Sequence, residues 1–146
     1  MKTLKKSITY CFLLTIFVSC GNENKEQVVE ATTPDANDFE AFYNRFHSDS
    51  VYQIEHILFP LQGLPTNADT TILRNRDFYY QKEGWVVQNR LPENSDFRSE
   101  IAAIDSALVI ERILHQSGQY AMERRFAKMD GEWMLIYYAG VNRVAQ

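Results

Sequence analysis

The sequence Tyr120-Ala-Met-Glu-Arg-Arg-Phe-Ala-Lys-Met-Asp-Gly-Glu-Trp-Met-Leu-Ile-Tyr-Tyr138 decides the fold of this chain. Its Asp130-Gly131 pair stands between two apolar-rich runs. An Asp-Gly pair in that setting is the strongest short-range signal for a β-hairpin. The stretch therefore predicts one strand over 120–128, a tight turn, and a second strand over 132–138.

The register of this hairpin decides which side chains face the core. A two-residue turn predicts three facing pairs: Lys128 with Trp133, Phe126 with Leu135, and Arg124 with Tyr137. The more apolar face is then formed by Met122, Phe126, Trp133, Leu135 and Tyr137. The opposite face carries Ala127, Met134, Ile136 and Tyr138 with Glu123 and Arg125. A three-residue turn with a bulge at Gly131 would exchange the two faces, so both registers stay open.

Outward from the hairpin, the sequence continues to favour strands. A β-branched run over 108–114, turned by residues 116–118, predicts a third strand and hence a three-stranded meander. Segments 70–74, 78–80 and 85–87 also have the composition of strands. Residues 63–67 and 91–95 are typical of loops. Phe97, Ile101 and Ile104 follow a spacing that predicts a short helix.

The front of the domain is predicted to be helical. Phe39, Phe42 and Phe46 recur on one face of a helix that Asn37 and Glu40 would open as a capping box. Ser50 and Gln53 form a second capping signal, for a short helix. Residues 57–61 are predicted to be extended, with Pro60 confining them to an edge or a bulge. Helices first and strands afterwards indicate an α+β fold.

The N-terminus has the pattern of an export signal. Three lysines precede an apolar run over 8–18, and small Ser19 stands directly before Cys20. The run is about half the roughly 20 residues that a membrane-spanning helix needs. A cysteine at this point is similar to the lipid-attachment site of bacterial lipoproteins. We expect residues 1–19 to be a signal peptide, 20–36 the lipidated Cys20 with a flexible polar tether, and 37–146 a single domain.

Composition narrows the classes of function. Without residues 1–19 the chain has twelve basic and nineteen acidic residues, a formal charge of −7. Such an acidic domain is not expected to bind nucleic acid or to dock on anionic lipid by charge. The only cysteine besides Cys20 is Cys11, inside the predicted signal. The domain therefore has no disulfide, thiolate metal site or cysteine nucleophile.

Two stretches resemble an uncharacterised family of Bacteroides-type lipoproteins, classed as a domain of unknown function. The first is residues 39–61, with its aromatic residues at helical spacing, Asp49-Ser50, Tyr52-Gln53 and Phe59-Pro60-Leu61. The second is residues 126–138. The resemblance implies the cone-shaped α+β fold of nuclear transport factor 2, also described as cystatin-like, in which a curved sheet wraps around helices. It implies a pocket between them but transfers no activity.

Few residues carry a signal for chemistry. The three histidines, His47, His56 and His115, lack metal-ligand spacing, and no glycine-rich phosphate loop or nucleophile elbow is present, so we expect no metal and no cofactor. No catalytic residue is predicted. The candidates for lining a pocket are His56, Tyr79, Trp85, Trp133 and Tyr137. The structural alternatives are a hydrogen-bonded His56 at a helix end and aromatic residues that pack in a core or an interface. Arg112, Arg124 and Arg125 are expected to form a solvated ladder with Glu111 and Glu123.

Two kinds of function are compatible with these features. The first is a non-catalytic domain that binds a small ligand or an envelope protein. The second is a small acid–base enzyme of the isomerase or dehydratase type, with a carboxylate or His56 tuned by a pocket. In both cases we expect a Gram-negative envelope lipoprotein, anchored at the outer membrane through Cys20, with the periplasmic and surface faces both open. The apolar second face of the hairpin also allows a homodimer through the sheet.

Overall fold

A computed structural model describes residues 36–144 of the chain. The predicted signal peptide, Cys20 and all but the last residue of the predicted tether lie outside the described residues. The elements, in chain order, are α1 (Ala36–Phe46), α2 (Ser50–Glu55), β1 (Leu61–Leu64), α3 (Thr70–Asn75), β2 (Phe78–Tyr80), a 3₁₀ turn (Lys82–Gly84), β3 (Phe97–Asp105), β4 (Leu108–His115), β5 (Tyr120–Met129) and β6 (Glu132–Arg143). No helix in this part of the chain is long and apolar enough to cross a membrane.

The strands form one six-stranded sheet in the order β2-β1-β6-β5-β4-β3. Neighbouring strands run antiparallel, except that β1 and β6 are parallel. Helices at the front and a mostly antiparallel sheet behind them make up the predicted α+β architecture. The meander at the back has four strands, β3 to β6, because residues 97–105 extend the three that were predicted.

The hairpin has the two-residue turn. Asp130 and Gly131 both have positive φ, 51° and 91°, as the tightest hairpin turns require. Two of the predicted pairs are present, Lys128 with Trp133 and Phe126 with Leu135. An irregularity between Arg125 and Phe126 then changes the register, so that Arg124 faces Tyr138 and Arg125 faces Tyr137. The prediction for the two tyrosines was therefore wrong, and Tyr138 is the one buried in the core.

Helix α1 covers the sheet with the predicted phenylalanine face. Phe39, Phe42 and Phe46 are at most 7% exposed. The ring of Phe126 on β5 lies 5.6–5.7 Å from each of these three rings. Aromatic rings at such separations pack edge to face and add to the burial of apolar surface. The other buried apolar residues are Ile57, Leu61, Val109, Ile113, Trp133, Leu135, Tyr138 and Ala139.

Aspartates open the two short helices. The Asp49 carboxylate accepts from the amides of Val51 and Tyr52 at 3.0 Å, so Asp49 caps α2 in place of the predicted Ser50. Asp69 caps α3 in the same way, and this makes 70–74 helical where a strand was predicted. The predicted cap at Asn37 was also wrong, since α1 already includes Ala36.

Three further segments differ from their predicted form. Residues 97–105 are a strand because they pair with β4 along nearly its whole length, and this pairing overrides the helical spacing. Residues 85–87 form no strand and follow the 3₁₀ turn as irregular chain. Pro60, joined to Phe59 by a cis peptide bond, precedes β1. β1 includes Gly63 of the predicted loop and lies between β2 and β6, not at an edge.

Candidate functional site

Two strands place a carboxylate opposite a guanidinium inside the fold. Glu111 on β4 pairs in register with Arg124 on β5. Alternation along β4 puts Glu111 on the same face as buried Val109 and Ile113. Arg124 Nη1 donates to Glu111 Oε2 at 3.1 Å, and the side chains are 3% and 0% exposed. This ion pair forms the centre of what we call the interior cluster.

Both carboxylate oxygens of Glu111 are occupied. The hydroxyls of Tyr43 and Ser99 each donate to Oε1 at 2.6 Å, while Arg124 occupies Oε2. Burial raises the pKa of Tyr43, and the negative charge of Glu111 acts in the same direction. Tyr43 therefore stays protonated and remains a donor. A buried carboxylate is tolerated in a protein only with partners of this kind.

His47, the residue directly after helix α1, completes the interior cluster. Its Nδ1 lies 2.9 Å from the Tyr43 carbonyl and can only donate there, so Nε2 accepts from Arg124 Nη1 at 3.0 Å. Burial lowers the pKa of His47 to about 4, and the positive charge of Arg124 contributes. His47 is thus a neutral acceptor near pH 7.

A buried glutamine holds the irregular segment 85–88 beside this cluster. Gln53 Nε2 donates to the carbonyls of Phe46 and Gln88 at 2.7 and 2.8 Å. Its Oε1 accepts from the Gln88 amide at 2.7 Å and from Trp85 Nε1 at 3.2 Å. The Gln88 side chain in turn accepts from Arg124 Nη2 at 3.4 Å. Among the described residues, Arg124 Nε is the buried side-chain atom without a hydrogen-bond partner.

The chemistry open to the interior cluster is limited by this arrangement. A general base needs a free acceptor within reach of the proton it removes. Glu111 is fully buried with both oxygens occupied, and the Nε2 of His47 already accepts from Arg124. In this conformation the cluster is an ion pair with a structural role, Glu111 with Arg124, whose hydrogen-bond partners are Tyr43, Ser99 and His47.

An open groove runs along another face of α1, between the helices and the β5–β6 turn. Its volume is about 570 Å³. Tyr52 stacks on His56 with 3.7 Å between ring centres, and the Arg45 guanidinium lies 4.0 Å from the centre of the Tyr52 ring. The lining residues are Asp38, Ala41, Phe42, Arg45, Tyr52, Glu55, His56, Gly131, Glu132 and Trp133. We call this surface the aromatic groove.

Acidic side chains line the aromatic groove. Asp38 accepts from Lys128 Nζ at 2.6 Å and from Trp133 Nε1 at 3.1 Å. These hydrogen bonds, that of Lys128 first, lower the pKa of Asp38. Glu55 and Glu132 add two more carboxylates, against the single cation of Arg45 in the lining.

The structure brings together two of the five predicted pocket residues. His56 and Trp133 both line the aromatic groove, where His56 Nδ1 also donates to the Tyr52 carbonyl at 2.8 Å. Trp85 packs between Phe59, Tyr80 and Tyr138 and lies outside that groove. Tyr79 is 47% exposed on β2, and Tyr137 lies under the Arg125 guanidinium at 4.4 Å.

The predicted charge ladder divides between the two faces of the sheet. Glu111 and Arg124 form the buried pair, whereas Glu123 bonds Arg125 at 2.6 Å and Arg112 at 3.5 Å on the outer face. The prediction of one solvated ladder was therefore wrong for Glu111 and Arg124. Those outer residues, with Ile110 and β3, line a cleft of about 380 Å³.

The interior cluster is what sequence reasoning missed. Tyr43 lies on α1 and His47 directly follows that helix; both side chains reach residues of the sheet, and no pattern in the sequence singles them out. The sequence does indicate that Glu111 is buried. It lies in the middle of the apolar run 108–114, and the alternation of a strand puts it on the same face as apolar Val109 and Ile113. Among the described residues, no three His, Cys, Asp or Glu side chains come together as a metal site.

Comparison with known proteins identifies the fold. No protein-family model and no curated protein matches this chain. A cystatin-like protein from Bacteroides caccae matches with a TM-score of 0.56 at 17% identity, over 74% of this chain and 79% of that one. This likeness, with the helices and the mostly antiparallel sheet, identifies the cystatin-like, nuclear transport factor 2-like α+β fold that the resemblance implied.

Two further solved structures are more distant. A nuclear transport factor 2-like protein from Bacteroides fragilis matches at 14% identity and a TM-score of 0.43, over 77% of this chain and 50% of that one. A nuclear transport factor 2-like protein of unknown function from Shewanella baltica matches at 16% identity and a TM-score of 0.37, over 79% of this chain and 100% of that one.

Proposed function

We propose that this protein is a lipid-anchored, non-catalytic binding protein of a Gram-negative cell envelope. The observation that carries the non-catalytic part is the closed interior of the fold. Glu111, the carboxylate best placed beside a tyrosine for acid–base work, is 0% exposed, and each of its oxygens already accepts a hydrogen bond. The aromatic groove, by contrast, opens to solvent with polar and aromatic groups on its surface.

The acid–base alternative rests on one specific observation. Tyr43, Glu111 and His47 form a compact set of titratable groups, with a 2.6 Å hydrogen bond between the first two. Such sets are common at active sites, although structural ion pairs perturb pKa values as well. Because no oxygen of Glu111 is free for a substrate, the binding role is the better supported of the two.

The anchoring part of the proposal rests on the sequence. Residues 1–19 have the order of an export signal ending at Cys20, and the resemblance is to lipoproteins. Residues 21–36 are polar and poor in large apolar side chains, which suits a tether. Stable anchoring needs at least two acyl chains, as a lipidated N-terminal cysteine provides. We place the protein at the outer membrane.

Fractionation of cells that express the protein tests the anchoring. Mass spectrometry should find a lipid-modified Cys20 as the first residue of membrane-extracted protein, and Cys20→Ala should release or mislocalise the protein. Cys11→Ala is the matched control and should leave the protein in the membrane. Mature protein that still carries residues 1–19 would contradict the proposal.

Site-specific crosslinking tests the binding part. A photoreactive amino acid at Ala41, which is exposed in the aromatic groove, should join the protein to an envelope component in living cells. The same group at Ser117, on an exposed turn outside the groove, is the control. Equal products from both positions, or none from Ala41, would argue against binding at the groove.

A further inference from the structure

The aromatic groove already holds cations of its own chain against its rings. The Arg45 guanidinium lies 4.0 Å from the centre of the Tyr52 ring. Lys128 Nζ lies 6.0 Å from the centre of the Trp133 ring while bonding Asp38. Guanidinium and ammonium groups are attracted by the electron-rich faces of such rings. The surface thus accommodates the head groups of basic side chains.

The charge of the groove is unbalanced. Its lining includes three carboxylates, Asp38, Glu55 and Glu132, and one guanidinium, Arg45. Asp38 is paired with Lys128, but no ion pair within residues 36–144 joins Glu55 or Glu132 to a cation. Two carboxylates therefore remain to attract a positive charge from outside.

The charges of the groove act on the phenol of Tyr52. Burial raises the pKa of Tyr52; the positive charge of Arg45, the largest of the charge effects, lowers it, and the negative charges of Glu132 and Asp38 raise it. Both carboxylates are thus close enough to act on the centre of the groove.

We propose that the aromatic groove binds a lysine or arginine side chain presented by an exposed segment of a partner polypeptide. This inference rests on the proposed binding function and specifies the partner's chemistry. Charge complementarity selects a basic group, because the exposed carboxylates of Glu55 and Glu132 line the groove and form no ion pair within residues 36–144. A polypeptide fits better than a free small amine, because small ligands are largely enclosed by their pockets, whereas the carboxylates here lie exposed on three separate elements.

Nuclear magnetic resonance of the full chain with Cys20→Ala and ¹⁵N-labelled tryptophan tests this inference. The chain has two tryptophans, Trp133 in the groove and Trp85 outside it, so each indole N–H gives its own signal. The probe is the blocked pentapeptide acetyl-Ala-Ala-Lys-Ala-Ala-amide at millimolar concentration. We expect the Trp133 signal to shift saturably while the Trp85 signal stays in place.

Charge variants identify the site. The double variant Glu55→Gln with Glu132→Gln should weaken peptide binding roughly fivefold, as expected for two exposed ion pairs. Glu83→Gln with Glu93→Gln makes the same change of net charge at exposed positions outside the groove and should leave the affinity unchanged. Equal weakening by both double variants would show general attraction to an acidic protein and overturn the inference.

Three further outcomes of these titrations distinguish this inference from the binding function itself. Equal binding of the peptide with an acetylated lysine would overturn the requirement for charge and leave the binding role standing. Equal affinity for free n-butylammonium would overturn the choice of a polypeptide. No shift of the Trp133 signal with any peptide also overturns the inference, while the crosslinking at Ala41 judges the binding function independently.

Discussion

Arg124 stands opposite Glu111 on neighbouring strands and donates to its carboxylate at 3.1 Å, with both side chains out of contact with solvent. The pair links the middle of the sheet to helix α1, because Tyr43 bonds Glu111 and His47 bonds Arg124. The interior of the fold is therefore fixed by polar contacts as well as by its phenylalanine core.

Removing one member of this pair should lower the free energy of unfolding strongly. Arg124→Met leaves the Glu111 carboxylate buried without its cation, a change that typically destabilises a protein by about 3–5 kcal/mol. Arg125→Met, at the next position on the exposed face, should cost less than about 1 kcal/mol. Urea unfolding measures both values.

The double variant Glu111→Leu with Arg124→Met completes this comparison. It leaves no unpaired charge and should recover at least half of the loss in unfolding free energy. If the unfolding free energy of the single variant Arg124→Met lay within about 1 kcal/mol of the parent's, the structural role of the pair would be contradicted.

His47 should make stability fall in mild acid. Its folded-state pKa is about 4 against an ordinary value of 6.5, so between these pH values the unfolded chain binds a proton that the folded chain does not. Stability therefore rises with pH through this window and is constant above it with respect to this group. At about 1.4 kcal/mol per pKa unit, the full effect is about 3 kcal/mol.

Unfolding free energies at several pH values between 4 and 7 measure this effect. His47→Gln keeps a polar side chain but cannot titrate, and its stability should depend less on pH than that of the parent. His115→Gln, at the end of β4, is the control for replacing a histidine elsewhere in the domain. Identical slopes for His47→Gln and the parent would show that His47 is not the group responsible.

The sequence predicted the fold best where local and global signals agree. Asp130-Gly131 determines a turn, and the phenylalanines of α1 determine a buried face, without reference to the rest of the chain. Residues 97–105 show the opposite case, because their helical spacing was overridden by pairing with β4. Likewise, the register beyond Phe126 depends on an irregularity in β5 that no residue pattern indicated.

The candidate site was predictable only in part. His56, a polar residue just before an extended apolar segment, and Trp133, one of the aromatic residues of the strands, are both predicted to line a pocket, and the structure places both in the aromatic groove. Their neighbour Asp38 comes from α1 and reaches Lys128 across 90 positions of sequence. Contacts of that separation depend on the topology, which a single sequence does not reveal.

Gln53 should be essential for the conformation of residues 85–88. It is fully buried and makes four hydrogen bonds, two donated and two accepted. Gln53→Leu leaves the buried Phe46 carbonyl and the half-buried groups of Trp85 and Gln88 without this partner, and each unsatisfied buried group costs about 1–3 kcal/mol. We expect a loss of at least about 2 kcal/mol and faster hydrogen exchange at the Gln88 amide.

Gln62→Leu is the control for this change, because Gln62 is exposed on β1. It should leave both the stability and the Gln88 exchange rate near the parent's. If Gln53→Leu changed stability without changing that exchange rate, Gln53 would not be what holds the segment.

Gly63 is where the sheet tolerates no side chain. A Cβ at this position would lie 1.9 Å from the Tyr138 carbonyl oxygen and 2.9 Å from the Tyr80 ring. The oxygen belongs to the backbone of β6, so relief requires β1 to move away from the strand it pairs with. Gly63→Ala should exceed the usual 1–3 kcal/mol of overpacking, lowering the melting temperature strongly or preventing folding.

Gly84→Ala provides the matched comparison, since a Cβ there meets nothing within 4 Å. Its melting temperature should stay within a few degrees of the parent's. Thermal unfolding followed by circular dichroism distinguishes the two variants, and soluble yield distinguishes them if Gly63→Ala does not fold. If Gly63→Ala were as stable as Gly84→Ala, β1 and β6 could not be paired closely at Tyr138. That result would contradict the parallel pairing that joins β1 and β2 to the meander.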